Sequence, residues 1–168
     1  MNKWYENRWV AIVWAALRIW LGVQWLEAGW HKLGAFDAAG FLQGAIAKAG
    51  GDAPVVQGWY AAFLENVALP NVKLFNVLIP IGEILVGLGL IVGALTIPAL
   101  IAGAFMNLNF LLAGTISTNP VLFTVAIILL FVINGTIYYG VDRFLIPAII
   151  KNMKDKNILK KFHRAPAQ

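Results

Sequence analysis

Arg18 stands in the middle of the apolar run 9–30, and Glu83 in the middle of the apolar run 72–93. Each run is long enough to cross a bilayer as a helix. An ionisable side chain deep in such a helix costs at least about 2.5 kcal/mol unless it meets a partner or water. Opposite charges at like depth offer each other that partner, so the sequence predicts a buried Arg18–Glu83 pair. Such a pair can act as a polar floor for an anion or a quinone head group, with Glu83 exchanging a proton. Its purely structural counterpart is a device that holds two helices in register.

A second group lies further along the first run. Gln24, Glu27 and His31 are spaced by three and four residues, which puts them on one helical face. A carboxylate beside an imidazole suits proton relay, because histidine titrates near neutral pH. The alternative is an interfacial salt bridge involving the neighbouring Lys32. Asn107 and Asn109 in a third apolar run, and Asn134 in a fourth, are amides of the kind that join helices in lipid. Asn107 is expected at the depth of Arg18 and Glu83, and Asn109 nearer the outer face. Glycines 82, 87, 89 and 93, including the small-xxx-small stretch 89–93, allow close helix approach.

The elements that position these groups follow from composition. The chain has 168 residues, 60% hydrophobic and 12% charged, with mean hydropathy +0.74. That balance belongs to an integral membrane protein of one domain. No cysteine is present, which excludes disulfides and thiolate ligands, and two histidines make a metal site unexpected. The first apolar run reaches spanning length, contains Arg18 and lacks a small-residue cleavage site, so it reads as a retained helix rather than a signal peptide.

Four transmembrane helices are predicted at about 9–30, 72–93, 96–113 and 120–139. The short later links require antiparallel neighbours, as in an up-and-down bundle. The fold class is therefore all-α: a four-helix transmembrane bundle, with an extracytoplasmic helical insertion at about 31–71 between the first two helices. The insertion reads as an amphipathic helix over 36–47, a break at 50–52, and a second helix opened by Pro54 and ending near Pro70. It is either a lid over the bundle's mouth or a plain cap. Residues 1–147 form the membrane domain and 148–168 a basic cytoplasmic tail.

Most of the net charge of +5 sits in that tail, where Lys151, Lys154, Lys156, Lys160, Lys161 and Arg164 face Asp155 alone. Beside a membrane such a cluster marks a cytoplasmic end near anionic lipid, not a nucleic-acid footprint. With Lys3 and Arg8 at the other end, both termini are expected in the cytoplasm of a multi-pass protein of the cell membrane. Trp4, Trp9, Trp30, Trp59, Tyr138 and Tyr139 fall near expected interfaces.

Residues 18–33, RIWLGVQWLEAGWHKL, resemble the first-helix signature of the DoxX/DoxD membrane proteins. PIGEILVGLGL at 80–90 resembles their second helix, and NLNFLLAGTISTNP at 107–120 the segment between the third and fourth. The resemblance covers about 9–147. It implies a quinone-linked membrane oxidoreductase subunit, as in the DoxD subunit that oxidises thiosulfate to tetrathionate and passes electrons to quinone. It further implies a DoxA-like partner or soluble redox enzymes, and no metal. In that reading Arg18 neutralises an anionic substrate, Glu83 exchanges protons, and Glu27 with His31 links the site to the outer face. Gln24, Asn107 and Asn109 bind the substrate head group. The expected pocket is walled by the first three spans and touches Arg18, Glu83 and Asn107. The alternative is a non-catalytic scaffold or small-molecule-binding protein that recruits soluble redox enzymes; a small transporter ranks third, and homo-oligomerisation is left open.

Overall fold

A computed structural model describes residues 7–163, with side chains through residue 153. Lys3, Trp4 and Arg164, and the side chains of Lys154, Asp155, Lys156, Lys160 and Lys161, lie outside the described part. Among the described residues the chain is all helical, with no strand. Helix α1 covers Arg8–Lys32, α2 Ala38–Ala47 and α3 Gly58–Phe63. Then come α4 at Val72–Val92, α5 at Thr96–Leu112, α6 at Asn119–Phe131, α7 at Ile133–Thr136 and α8 at Asp142–His163.

Two helical stretches, Arg8–Lys32 and Gly58–Val92, are long and apolar enough to cross a membrane. Only 33% and 28% of their most apolar windows are buried, whereas the core helix of a water-soluble protein is mostly buried. Trp9 and Trp30 are exposed at opposite ends of α1.

Helix α1 packs antiparallel to α4 along a seam of small residues. A Cβ on Gly22 would lie 2.9 Å from Gly87 O, and one on Gly29 would lie 2.8 Å from Pro80 O. Glycine here lets two backbones touch, as small residues do between membrane helices. The seam uses Gly22, Gly29 and Gly87. Gly89 and Gly93 serve elsewhere: Gly89 lies against Ala99 of α5, and Gly93 takes the left-handed conformation that ends α4.

Two sequence expectations are corrected. Pro70 does not end the second insertion helix. A π-turn at Leu64–Ala68 and a 3-10 turn at Leu69–Asn71 carry the chain from α3 into α4 without a break. The tight turn accommodates a residue with no N–H to donate. The fourth predicted span is interrupted: α6 has 13 residues and ends at Phe131, capped by Val132 at φ −101° and ψ 32°. Thirteen residues reach about 20 Å, short of the ~30 Å hydrocarbon core. The Thr136 hydroxyl donates to Leu129 O at 2.9 Å, satisfying a carbonyl left free by the break. Residues 148–163 belong to α8.

The bundle core gathers Leu21, Trp25, Val86, Leu90, Leu100 and Leu129. The insertion has its own core of Leu42, Val56, Tyr60, Leu64 and Ala68, closed on Ala113 at the end of α5. It therefore packs on the bundle as a folded layer beside the ends of α1, α4 and α5.

Candidate functional site

Arg18 and Glu83 are each almost wholly buried, yet they do not pair. Arg18 Nη1 donates to Leu90 O at 2.9 Å and Nη2 to Tyr139 O at 2.7 Å. Asp142 is the carboxylate whose charge acts on it. Asp142 in turn accepts from Leu95 N at 2.9 Å and Thr96 N at 2.7 Å, capping α5. Glu83 instead accepts from Lys32 Nζ at 2.5 Å.

The reason is axial stagger. The contacts of Gly22 with Gly87, and of Gly29 with Pro80 and Ile84, put Glu83 level with the end of α1 that carries Gly29. The same stagger puts Arg18 against Leu90 and Gly93. Glu83 and Gly93 are ten residues apart on one helix, about 15 Å along its axis. Equal position within two apolar runs does not mean equal depth once the helices slide.

Around Glu83 lies a cavity of about 450 Å³. From α1 it is lined by Gln24, Trp25, Glu27, His31 and Lys32, so the predicted polar face does converge on it. The insertion contributes Phe36 and Phe41, the α5–α6 link Thr115, Ser117 and Thr118, and the start of α6 Asn119. Arg18, Asn107 and Asn109 do not line it, which corrects the expected pocket.

Lys32 is held by more than its carboxylate. Its Nζ lies 5.0 Å from the Phe110 ring centre and 5.8 Å from that of Phe36. An ammonium over aromatic faces gains cation–π attraction that holds it at the cavity. Glu83 Oε1 is thus engaged, while Glu83 Oε2 is buried with no hydrogen-bond partner among the described residues. The Trp25 indole N–H is also buried and unpartnered among them. Buried polar groups without partners are uncommon in folded proteins and point to a ligand, water or proton not in view.

Asn107 is fully buried, and neither atom of its amide has a partner among the described residues. A Cβ on Gly103 would lie 3.1 Å from Trp25 Nε1 and 3.3 Å from Val86 Cγ1. Asn107 is one turn beyond Gly103 on the same face, and Glu83 is about one turn before Val86 on the antiparallel α4. Asn107 therefore shares the depth of Glu83 and not that of Arg18. Asn109 faces elsewhere. Its Oδ1 and backbone O each accept from the Tyr60 hydroxyl at 3.1 Å, and its Nδ2 donates to Phe105 O at 2.8 Å. Asn134 lies in α7, beside a separate hollow lined by Asp142 and Arg143.

Sequence reasoning missed Lys32 as the partner of Glu83, since a lysine at a helix end reads as interfacial. It also missed the hydroxyl-rich link. One signal was present there: four small polar residues precede Pro120 between two apolar helices. Ser117 takes φ +36°, a strained conformation for a residue with a side chain, of the kind that clusters at functional sites.

No family model, curated protein or solved structure matches this chain. The described residues contain no group of three His, Asp or Glu side chains able to hold a metal.

Proposed function

We propose that this chain is a DoxX/DoxD-like membrane protein, a multi-pass four-helix transmembrane bundle acting as the membrane subunit of a quinone-linked oxidoreductase. The four spans are α1, α4, α5 and the α6–α7 pair, with both termini in the cytoplasm and the α2–α3 insertion outside. The observation that supports this best is Glu83, which lines the cavity: one carboxylate oxygen is tied to Lys32, and the other is buried with no partner among the described residues. An apolar cavity with a few placed polar groups suits a quinone ring.

The chemistry assigns each residue a task. Reducing a quinone to a quinol takes two electrons and two protons. Oxidising two thiosulfates to one tetrathionate supplies the electrons and no protons. Glu83 would hand a proton to a quinone oxygen, and Glu27 with His31 would recharge it from the outer face. Lys32 and Gln24 would donate hydrogen bonds to the ring's oxygens. The cavity's ammonium, Lys32, is already tied to Glu83, and Glu27 lines the same cavity, which suits a neutral ring better than a dianion; thiosulfate would then be oxidised on a DoxA-like or other soluble partner that passes its electrons to the quinone. Arg18 takes no part in substrate binding in this reading.

Purified chain together with any co-purifying partner should reduce a quinone analogue when thiosulfate is added, and the chain alone should bind the analogue. Glu83→Gln should keep the fold and slow that turnover by roughly 10²–10⁴, the usual contribution of a positioned acid–base group. Quinone binding without turnover in every preparation would leave the non-catalytic, small-molecule-binding alternative. No binding at all would remove the quinone reading.

A further inference from the structure

A second cavity, of about 300 Å³, lies between the insertion and the outer halves of α4 and α5. Its lining is apolar apart from Tyr60 and Asn109, whose polar atoms are engaged with each other. Leu64 and Ala68 close its buried side. Phe63, Leu78 and Phe105, also in its wall, are exposed on the outside of the helices. In a membrane that outside is lipid, so this cavity faces the bilayer.

Phe41 and Phe110 line both cavities. Their rings meet edge to face, 6.0 Å apart at 87°. The partition therefore includes two side-chain rings, which can turn aside without unfolding a helix. Phe110 also lies under the Lys32 ammonium, so displacing this ring bears on the Lys32–Glu83 pair. One chamber holds polar side chains, among them Glu83, whose Oε2 has no partner among the described residues. The other is apolar and faces lipid.

We propose that the two chambers form one bipartite site for an amphiphile that enters from the bilayer, its uncharged ring beside Glu83 and its hydrocarbon tail past Phe41 and Phe110 in the apolar chamber. This rests on the quinone reading and narrows it to quinones that carry a tail. A phospholipid would bring a phosphate into a chamber whose ammonium, Lys32, is already tied to Glu83, and a free small quinone would leave the apolar chamber without a purpose.

The test uses the full chain in detergent and two probes, a dimethoxy-methyl-benzoquinone without a tail and the same ring with a decyl chain. Binding is read by quenching of tryptophan fluorescence, since Trp25 lines the polar chamber. The decyl compound should bind at least about tenfold more tightly, given that each buried methylene adds appreciable affinity. Ile79→Trp, which fills the apolar chamber, should remove most of that advantage and leave the tail-less probe unchanged. Comparing variant with parent cancels partition into detergent. Ala68→Phe fills the same chamber from the insertion side and serves if the first variant misfolds. In the parent alone, decanol should displace the decyl quinone but not the tail-less one. Equal binding of both probes, or no response to filling or to decanol, would overturn the bipartite site and leave the quinone reading standing. Failure of both probes to bind the parent would instead sink the quinone reading, and the tail chamber with it.

Discussion

Lys32 Nζ and Glu83 Oε1 lie 2.5 Å apart, joining the last residue of α1 to the middle of α4. Lys32 is part-exposed while Glu83 is almost fully buried. One partner can therefore find water if the bond breaks, and the other cannot. The cost of breaking it falls on the carboxylate.

Lys32→Met should lower stability by about 1.5–3 kcal/mol, the scale of a hydrogen bond to a charged group. Adding Glu83→Gln should restore part of that loss, because the orphaned charge is gone. Arg18→Met combined with Glu83→Gln should be additive within about 0.5 kcal/mol, as for sites with no shared partner. Unfolding in detergent measures all three. Strong coupling between positions 18 and 83 would contradict the stagger.

Gly93 takes φ +70°, and a Cβ there would collide with the Arg18 guanidinium and lie 2.8 Å from Gly140 Cα. Gly34 takes a similar φ of +72° with open space around it. Gly34→Ala should cost only the left-handed backbone strain, about 1–2 kcal/mol. Gly93→Ala should cost clearly more, since Arg18 must leave Leu90 O and Tyr139 O. Melting temperatures of the two variants side by side decide this.

Asp142 caps α5 from 46 positions away in the chain, through Thr96 N, and lies in the field of Arg18. Asp142→Ala should destabilise by at least about 1 kcal/mol, the usual loss on removing a helix cap. Asp142→Asn, which keeps an acceptor, should recover part of it. Equal melting of both variants would mean that the charge beside Arg18, and not the cap, sets the cost.

The proposed topology puts Gly51 outside the cell and Met153 inside. On this cysteine-free chain, a cysteine at position 51 should react with a membrane-impermeant thiol reagent in intact cells. One at position 153 should react only after the cells are opened. The reverse pattern would invert the orientation, and equal labelling would reject it.

Composition and periodicity alone determined the all-helical class. They also set the bounds of α1, α4 and α5 to within a residue or two and the shared face of Gln24, Glu27 and His31. These features are local: a helix face follows from spacing along one backbone, and apolar length from consecutive residues. The tertiary structure decided which charge meets which. The slide of α1 against α4 is set where Gly22 and Gly29 meet Gly87 and Pro80, contacts between residues far apart in the chain. That slide separates Arg18 from Glu83 and brings Lys32 to the carboxylate instead. The break at Val132 was equally out of reach, because apolar length carries no mark of it and the Thr136 hydroxyl takes up Leu129 O only once the chain has turned there. A lysine's long stem can turn inward or outward at a helix end, and here the rings of Phe36 and Phe110 turn it inward.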